Sequence, residues 1–321
     1  MLLSALVAAG WRRYALRRQL LDLPDARRSH QLPTPRGGGV AVALVLLVGS
    51  PWLGPHAGWV ALGLAITAGG GLLDDLRPLP AWKKLALQCL GALPLAWAFP
   101  VLPDMLGAAV GGLLAWAIVL VAVNFWNFMD GSNGMAASQA LLAGLAVAGL
   151  VGFGTPAGWL GAMLVAACLG FLPFNVPRAR LFLGDVGSHA LGYAVAAMGL
   201  MALASGQLGP WTLLLLPSAF LLDAGCTLLW RLWRRQRVWL AHREHLYQRA
   251  IAHGSSHMAV FWAYAAWTGA AAALAGATAG APGGRQFAIL TAAVVVGVGV
   301  YWRIGRRWPA PDASAGMESL E

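Results

Sequence analysis

The chain has 321 residues, of which 59% are hydrophobic and only 11% charged, where soluble domains carry roughly 25% charged residues. That composition excludes an ordinary soluble enzyme. The net charge of +10 does not indicate nucleic acid either, because no soluble domain offers a basic face interleaved with aromatics.

Apolar runs long enough to cross a ~30 Å hydrocarbon core recur along the whole sequence. The expected fold class is therefore all-α, a polytopic integral membrane protein of about 11 transmembrane helices. In chain order the expected span cores are 1–18, 39–54, 57–73, 85–101, 106–127, 134–153, 157–175, 187–204, 209–231, 257–276 and 286–303, placed by hydropathy and by Gly, Pro and charged punctuation. The first run is followed, not preceded, by Arg12, Arg13, Arg17 and Arg18, which is the wrong order for a signal peptide. Residues 1–305 read as one transmembrane domain and 306–321 as a polar tail.

Numbering the spans splits the loops into two sets. All of the 22 Lys and Arg except Arg285 fall in one set or at the adjoining span ends. By the positive-inside rule that set is cytoplasmic, with the N-terminus outside and the C-terminus inside. The net charge is then topology and contact with anionic headgroups. Tryptophans are expected as interfacial anchors. Cys89, Cys168 and Cys226 lie apart in apolar runs with no ligand spacing, so neither a disulfide nor a zinc site is expected.

Carboxylates in or near a bilayer are costly, so each needs a reason. Asp104 is in an outer loop, and Asp312, Glu318 and Glu321 are in the tail. The remaining acids, Asp22, Asp25, Asp74, Asp75, Asp130, Asp185, Asp223 and Glu244, all fall on the cytoplasmic side. Acids and bases from separate loops on one face point to a single site that handles something polyanionic. Hard oxygen donors of this kind suit Mg²⁺, with Mn²⁺ as its substitute, which takes one or two carboxylates plus phosphate oxygens. Neighbouring glycines allow close backbone approach to phosphate. Arg36, Lys83, Lys84, Arg178 and Arg180 are available for the remaining phosphate charge.

Five segments occur in order. The first runs from Asp22 through Pro24, Asp25, Arg27, Arg28, His30, Pro33, Thr34, Pro35 and Arg36 to Gly37-Gly38-Gly39. The second is Asp74-Asp75 with Lys84, Leu85 and Gln88. The third is Asn124…Asn127…Asp130-Gly131. The fourth is Asn175-Val176-Pro177…Phe182-Leu183-Gly184-Asp185-Val186-Gly187-Ser188. The last is Ala241-His242-Arg243-Glu244-His245-Leu246-Tyr247-Gln248-Arg249. Together they resemble the polyprenyl-phosphate N-acetylhexosamine-1-phosphate transferases (glycosyltransferase family 4), which include the peptidoglycan enzyme MraY and the WecA-like enzymes that initiate O-antigen. The resemblance runs from about Leu21 to Ala259.

The resemblance implies a phosphoglycosyltransferase of the bacterial inner membrane, its active site on the cytoplasmic face. It would move an N-acetylhexosamine-1-phosphate from a UDP-sugar to undecaprenyl phosphate and release UMP. It implies Asp185 as the Mg²⁺ ligand, Asp74 and Asp75 as the pair that activates or orients the lipid phosphate, and Asp130 as support for the metal–diphosphate region. His242 and His245 would stand near the diphosphate. Thr34, Arg36, Lys84, Asn127, Asn175, Phe182 and Arg243 would bind substrate, Phe182 by stacking on uracil. Two departures stand out: Asn133 replaces a second aspartate common in the family, and His-Arg-Glu-His replaces a three-histidine cluster. The latter tilts the expectation toward O-antigen or related surface polysaccharides. The lipid bilayer is the expected surrounding, nucleic acid is not a partner, and a homodimer is left open. His56, His189, His253 and His257 read as bland.

Competing readings are a polytopic prenyltransferase, a CDP-alcohol phosphotransferase and a secondary transporter. The first two require Asp-rich spacings that are absent. Transporters tend to carry ionisable groups near the midplane within internal repeats, and neither feature is visible here.

Overall fold

The computed structural model describes residues 1–22, 32–238, 240 and 242–308. Asp25, Arg27, Arg28 and His30 of the first loop, and the acids of the tail, lie outside the described residues. The described chain is overwhelmingly helical. The helices are α1 (Leu2–Arg17), α2 (Val40–Gly49), α3 (Ala57–Leu76), α4 (Ala81–Ala98), α5 (Pro103–Leu106), α6 (Ala108–Phe128), α7 (Met135–Val151), α8 (Pro156–Phe171), α9 (Gly184–Ala204), α10 (Pro210–Leu215), α11 (Ser218–Trp233), α12 (Leu246–Ala252), α13 (His257–Thr278) and α14 (Gly283–Arg307). A two-residue antiparallel pair, β1 (Leu21–Asp22) and β2 (Thr34–Pro35), sets Asp22 opposite Thr34.

Helices are what apolar sequence must form in lipid, because each backbone donor and acceptor then finds its partner inside its own segment. Their ends follow local chemistry. Thr155 caps α8 by accepting from Gly158 N at 3.1 Å, with Pro156 as the first helical residue. Ser256 caps α13 by accepting from Ala259 N at 3.1 Å. Pro51, Gly54 and Pro55 break the stretch Val40–Leu76 into α2, a 3-10 turn and α3. Pro217, which has no N–H to give, separates α10 from α11.

Six helical stretches among the described residues are long and apolar enough to cross a membrane, Val40–Leu76 counting as one. They establish an all-α integral membrane protein. The other expected cores fall on shorter or less apolar helices, namely α1, α4, α7 and the broken pair α10–α11. Eleven crossings and the sidedness of the termini therefore belong to the proposal below.

The bundle is organised around α9. Of its most apolar window 89% is buried within the protein, against 11% for the peripheral α14. It packs on α3, α6, α8, α7 and α2. Close approach depends on glycine: a Cβ on Gly39 would collide with the backbone of Gly187, where α2 begins against α9. The first turn of α9, which carries Asp185, is thus the point where α2, α3, α4 and α6 converge.

Candidate active site

The site is assembled at the N-terminal end of α9. The chain before α2 lies along residues 182–183. Phe182 N donates to Pro35 O, Gly38 N to Phe182 O and Gly39 N to Leu183 O, each at 2.8 Å. Gly184 then takes φ +76°, and a Cβ there would sit 2.5 and 2.8 Å from the two carboxylate oxygens of Asp75. Glycine alone suits that turn. Beyond it, the carboxylate of Asp75, at the end of α3, accepts Asp185 N at 3.1 Å and Val186 N at 3.0 Å. Asp75 is 5% exposed. It serves as the charged cap of α9, supplied from 110 residues away, and satisfies orphan N–H groups that the helix itself cannot.

Asp185 projects from that first turn. Its Oδ1 accepts Asn127 Nδ2 at 3.0 Å and its Oδ2 faces Lys84 Nζ at 3.3 Å. The same ammonium pairs with Asp74 Oδ2 at 2.6 Å, while Asp74 Oδ1 accepts Leu79 N at 2.6 Å. Asn127 also donates to Ser188 Oγ at 3.1 Å. Side chains from α3, α4, α6 and α9 thereby form one network: Asp74, Lys84, Asn127 and Asp185.

Beside it opens a cleft lined by Asp22, Arg36, Asp75, Asp130, Gly131, Ser132, Asn133, Asn175, Phe182, Asp185, Gln248 and His257. Burial, reinforced by the charges of Asp185 and Asp75, holds the Asp130 carboxyl well above the usual carboxylate range. The acids crowd one another and favour an added cation.

Among the described residues no three carboxylate, imidazole or thiol side chains converge to cage a metal. The donor set nevertheless fits Mg²⁺, which keeps waters and phosphate oxygens and needs only one or two carboxylates. Asp185 and Asp74, which share the Lys84 ammonium and lie within hydrogen-bond reach of each other, provide such a pair. The ammonium stands where positive charge is wanted.

Other expected site residues are committed to structure. Asn175 Oδ1 accepts Gly134 N at 2.5 Å and its Nδ2 donates to Leu181 O at 2.9 Å, so it ties two loops together while lining the cleft. Asn133 Nδ2 donates to Pro177 O at 3.2 Å. Thr34 is buried and donates to Leu32 O at 3.0 Å. It does not line the cleft, although Asp22 opposite it does. Arg180 donates to Pro173 O at 2.6 Å.

The loop after α11 behaves differently from the rest of the site. His245 is 3% exposed, begins α12, and lies 3.7 Å from Asp223 Oδ1 through Nδ1. The His242 ring packs on it at 4.8 Å between centroids. Burial, then the neighbouring His245 and Arg231, push the His242 imidazole down to about 3. His242, Arg243 and His245 are not among the cleft-lining residues; Gln248, one turn further along, is. Asp223 holds this arrangement by accepting Leu246 N at 2.7 Å, Tyr247 N at 3.2 Å and Tyr264 Oη at 2.5 Å. Arg231 pairs with Glu244, and Tyr247 Oη donates to Phe128 O at 3.0 Å. The loop is thereby anchored onto the segment that leads to Asp130.

Sequence reasoning overlooked Gln248 and His257 as cleft residues. His257 shares a 3.0 Å hydrogen bond with Ser132 Oγ. Position relative to Asp130-Gly131-Ser132, not local motif, is what brings it in.

Fold and cleft together define an integral membrane protein with an acid-rich cleft at the ends of its helices. Residues 58–203, which span the Asp74–Lys84–Asn127–Asp185 network, match the family model described as glycosyl transferase family 4. The decaprenyl-phosphate N-acetylglucosaminephosphotransferase of Mycolicibacterium smegmatis is 30% identical, covering 91% of this chain and 83% of that protein. The undecaprenyl-phosphate alpha-N-acetylglucosaminyl 1-phosphate transferase of Thermotoga maritima is 31% identical over 63% of each chain. A phospho-N-acetylmuramoyl-pentapeptide-transferase of Synechococcus is 36% identical, covering 62% of this chain and 65% of its own. The chain belongs to the polyprenyl-phosphate N-acetylhexosamine-1-phosphate transferase family, and it is a phosphoglycosyltransferase.

Proposed function

We propose that the protein transfers an N-acetylhexosamine-1-phosphate from a UDP-sugar to undecaprenyl phosphate, releasing UMP and initiating a cell-surface polysaccharide, O-antigen or a related polymer. The single observation that carries this reading is the junction of the Asp74–Lys84–Asp185 network with a cleft holding Asp130, Arg36 and Phe182. Two phosphorylated molecules could meet there.

The acceptor phosphate oxygen attacks the β-phosphorus of the donor. A P–O bond forms, the bond between the β-phosphorus and the bridging oxygen breaks, and UMP leaves with that oxygen. Phosphoryl transfer depends mainly on positioning and electrostatic stabilisation. Asp185 would hold Mg²⁺, which when bound would neutralise charge at the diphosphate. Lys84 and Arg36 add positive charge, and the Phe182 ring offers a face to the uracil. Where the acceptor arrives as its monoanion, Asp74 takes the proton. Asp75 is the weaker candidate for that role, since both its oxygens already accept backbone N–H groups. The charge asymmetry of the loops favours eleven crossings with the site on the cytoplasmic face of the inner membrane.

The test is UMP release by the purified protein over a panel of UDP-N-acetylhexosamines, with and without polyprenyl phosphate. Release that depends on the lipid supports the reading, and its absence with every donor removes it. Asp185→Asn should abolish magnesium-dependent turnover; an active Asp185→Asn would take that residue out of the metal role. Trapping a phospho-aspartate with the donor alone would replace the single displacement by a two-step route through a covalent aspartate.

A further inference from the structure

One helical turn below the site lies a second polar layer. Gln88 follows Lys84 by four residues on α4, His189 follows Asp185 by four on α9, and Asn124 precedes Asn127 by three on α6. Residues so spaced share a helix face. Each of these helices thus places a second polar side chain beneath the one it gives to the site. The lower three are joined: Asn124 Nδ2 donates to Gln88 Oε1 at 2.9 Å, and Gln88 Nε2 meets His189 Nε2 at 3.3 Å. Gln88 and His189 are buried, and the reaction proposed above uses neither.

The direction of these hydrogen bonds is set from one end. Asn124 Nδ2 also donates to Leu120 O at 2.8 Å, and a carbonyl can only accept. The Asn124 nitrogen therefore faces Gln88, which must present Oε1 to it and turn its NH₂ group to His189. His189 Nε2 must then accept, which selects a neutral ring with its proton on Nδ1. A doubly protonated ring would set N–H against N–H. Nδ1 turns toward the Thr67 backbone on α3 without closing a well-formed hydrogen bond, and Thr67 Oγ1 has no partner among the described residues.

We propose that His189 is a positioning residue for Asp185. By accepting from Gln88 it ties α9 to α4, and through Asn124 to α6, one turn beneath the contacts that Lys84 and Asn127 make with that carboxylate. The inference rests on the reading of Asp185 as the cation ligand. Groups that orient a metal ligand from behind typically contribute roughly 10–100-fold in metal affinity or activity. A leucine at position 189 would leave the Gln88 NH₂ buried without an acceptor.

The experiment compares the purified full-length protein with His189→Leu, Gln88→Leu, the double variant and His189→Gln. Mn²⁺ binding is followed by the paramagnetic signal of the free ion, UMP release by steady-state kinetics, and folding by thermal melting. His189→Leu should raise the Mn²⁺ half-saturation roughly ten-fold and lower kcat, with the donor KM within about two-fold. The double variant should be no worse than the poorer single one. His189→Gln, whose Oε1 can still accept from Gln88, should recover most of the loss. Unchanged Mn²⁺ binding and kcat per folded molecule in His189→Leu, even with a lower melting temperature, would overturn the proposal. So would a His189→Gln no better than His189→Leu, which is the decisive comparison if the leucine variant does not fold. Mn²⁺ binding by the wild-type protein without UMP release from any donor would instead remove the proposed UDP-sugar reaction, and the Mn²⁺ comparison would still decide the role of His189.

Discussion

Consider Asp75→Asn, which keeps the shape of the side chain and removes its charge. An amide offers one acceptor oxygen where the carboxylate offers two, so either Asp185 N or Val186 N loses its partner and meets an NH₂ group. Only 5% of Asp75 is exposed, so water cannot replace the lost acceptor. A hydrogen bond to a charged group contributes about 1.5–3 kcal/mol, and the favourable meeting of the carboxylate with the start of α9 adds ~0.3–1 kcal/mol. Relief of repulsion with Asp185 and of the cost of burying the charge offsets a good part of this. A net destabilisation of about 1–2 kcal/mol is expected, read as an earlier unfolding midpoint in mixed detergent micelles. Asp185 sits on the turn being capped, and misplacing a reacting group by ~1 Å can lower turnover about 10²-fold. The variant should therefore lose stability and kcat together while the donor KM changes little. Wild-type stability combined with a far larger loss of kcat would refute the capping argument and make Asp75 a chemical participant.

Gly184→Ala adds a Cβ at φ +76° against the Asp75 carboxylate, and left-handed backbone alone disfavours such a residue by about 1–2 kcal/mol. Its melting temperature and metal-dependent turnover should both fall. Asp223→Asn puts an NH₂ group in place of one of the two oxygens that accept Leu246 N, Tyr247 N and Tyr264 Oη, so at least one of these donors loses its acceptor. Protease sensitivity after α11 should rise and kcat fall, although the substitution touches no cleft residue. The His242 imidazole lies near 3 when folded and at its usual 6.5 when unfolded, so the unfolded chain binds the extra proton between those values and stability declines as pH falls through that window. Unfolding midpoints of His242→Gln across that range should decline less steeply than those of the wild type. The Asp130 carboxyl is displaced the other way, so its burial weighs against the folded state as pH rises. Without divalent cations at pH ~8, Asp130→Asn should melt later than the wild type, and added Mg²⁺ should narrow the gap.

Chemistry carried by short runs was legible in the sequence, and chemistry carried by distant pairs was not. Long apolar runs between charged loops identify membrane helices, because length and composition suffice for that. The Gly184-Asp185-Val186-Gly187-Ser188 run reads as a functional turn because its glycines and acid are adjacent. That Asp75 rather than Asp74 caps α9 leaves no local trace: cap signals are read within about four residues, and this cap comes from another helix. The same holds for Asp223, which starts α12. The family resemblance puts His242 and His245 near the diphosphate, whereas the structure gives His245 to the start of α12 and lines the cleft with Gln248 and His257 instead. His189 looked bland because a lone histidine inside an apolar helix says nothing until Gln88 and Asn124 are found beside it.

The acids of the site can be sorted by what holds them, and the sorting predicts how they respond to loss of a partner. Asp75 and Asp223 are filled by backbone N–H groups at helix starts. They cannot change partners without undoing a helix. Asp74 and Asp185 are held in part by the Lys84 ammonium, a flexible side chain that can swing to a phosphate when a cation arrives. Lys84→Met should therefore separate two effects. Removing a competitor for Asp74 and Asp185 should leave the Mn²⁺ half-saturation unchanged or lower. The loss of positive charge at the transferring group should reduce kcat by roughly 10²–10³-fold, the usual range for one electrostatic donor. This is the opposite metal response to that expected of His189→Leu. Weaker Mn²⁺ binding in Lys84→Met would mean that the lysine shapes the cation site instead of standing in for the cation, and the division of the acids into fixed caps and exchangeable ligands would have to be abandoned.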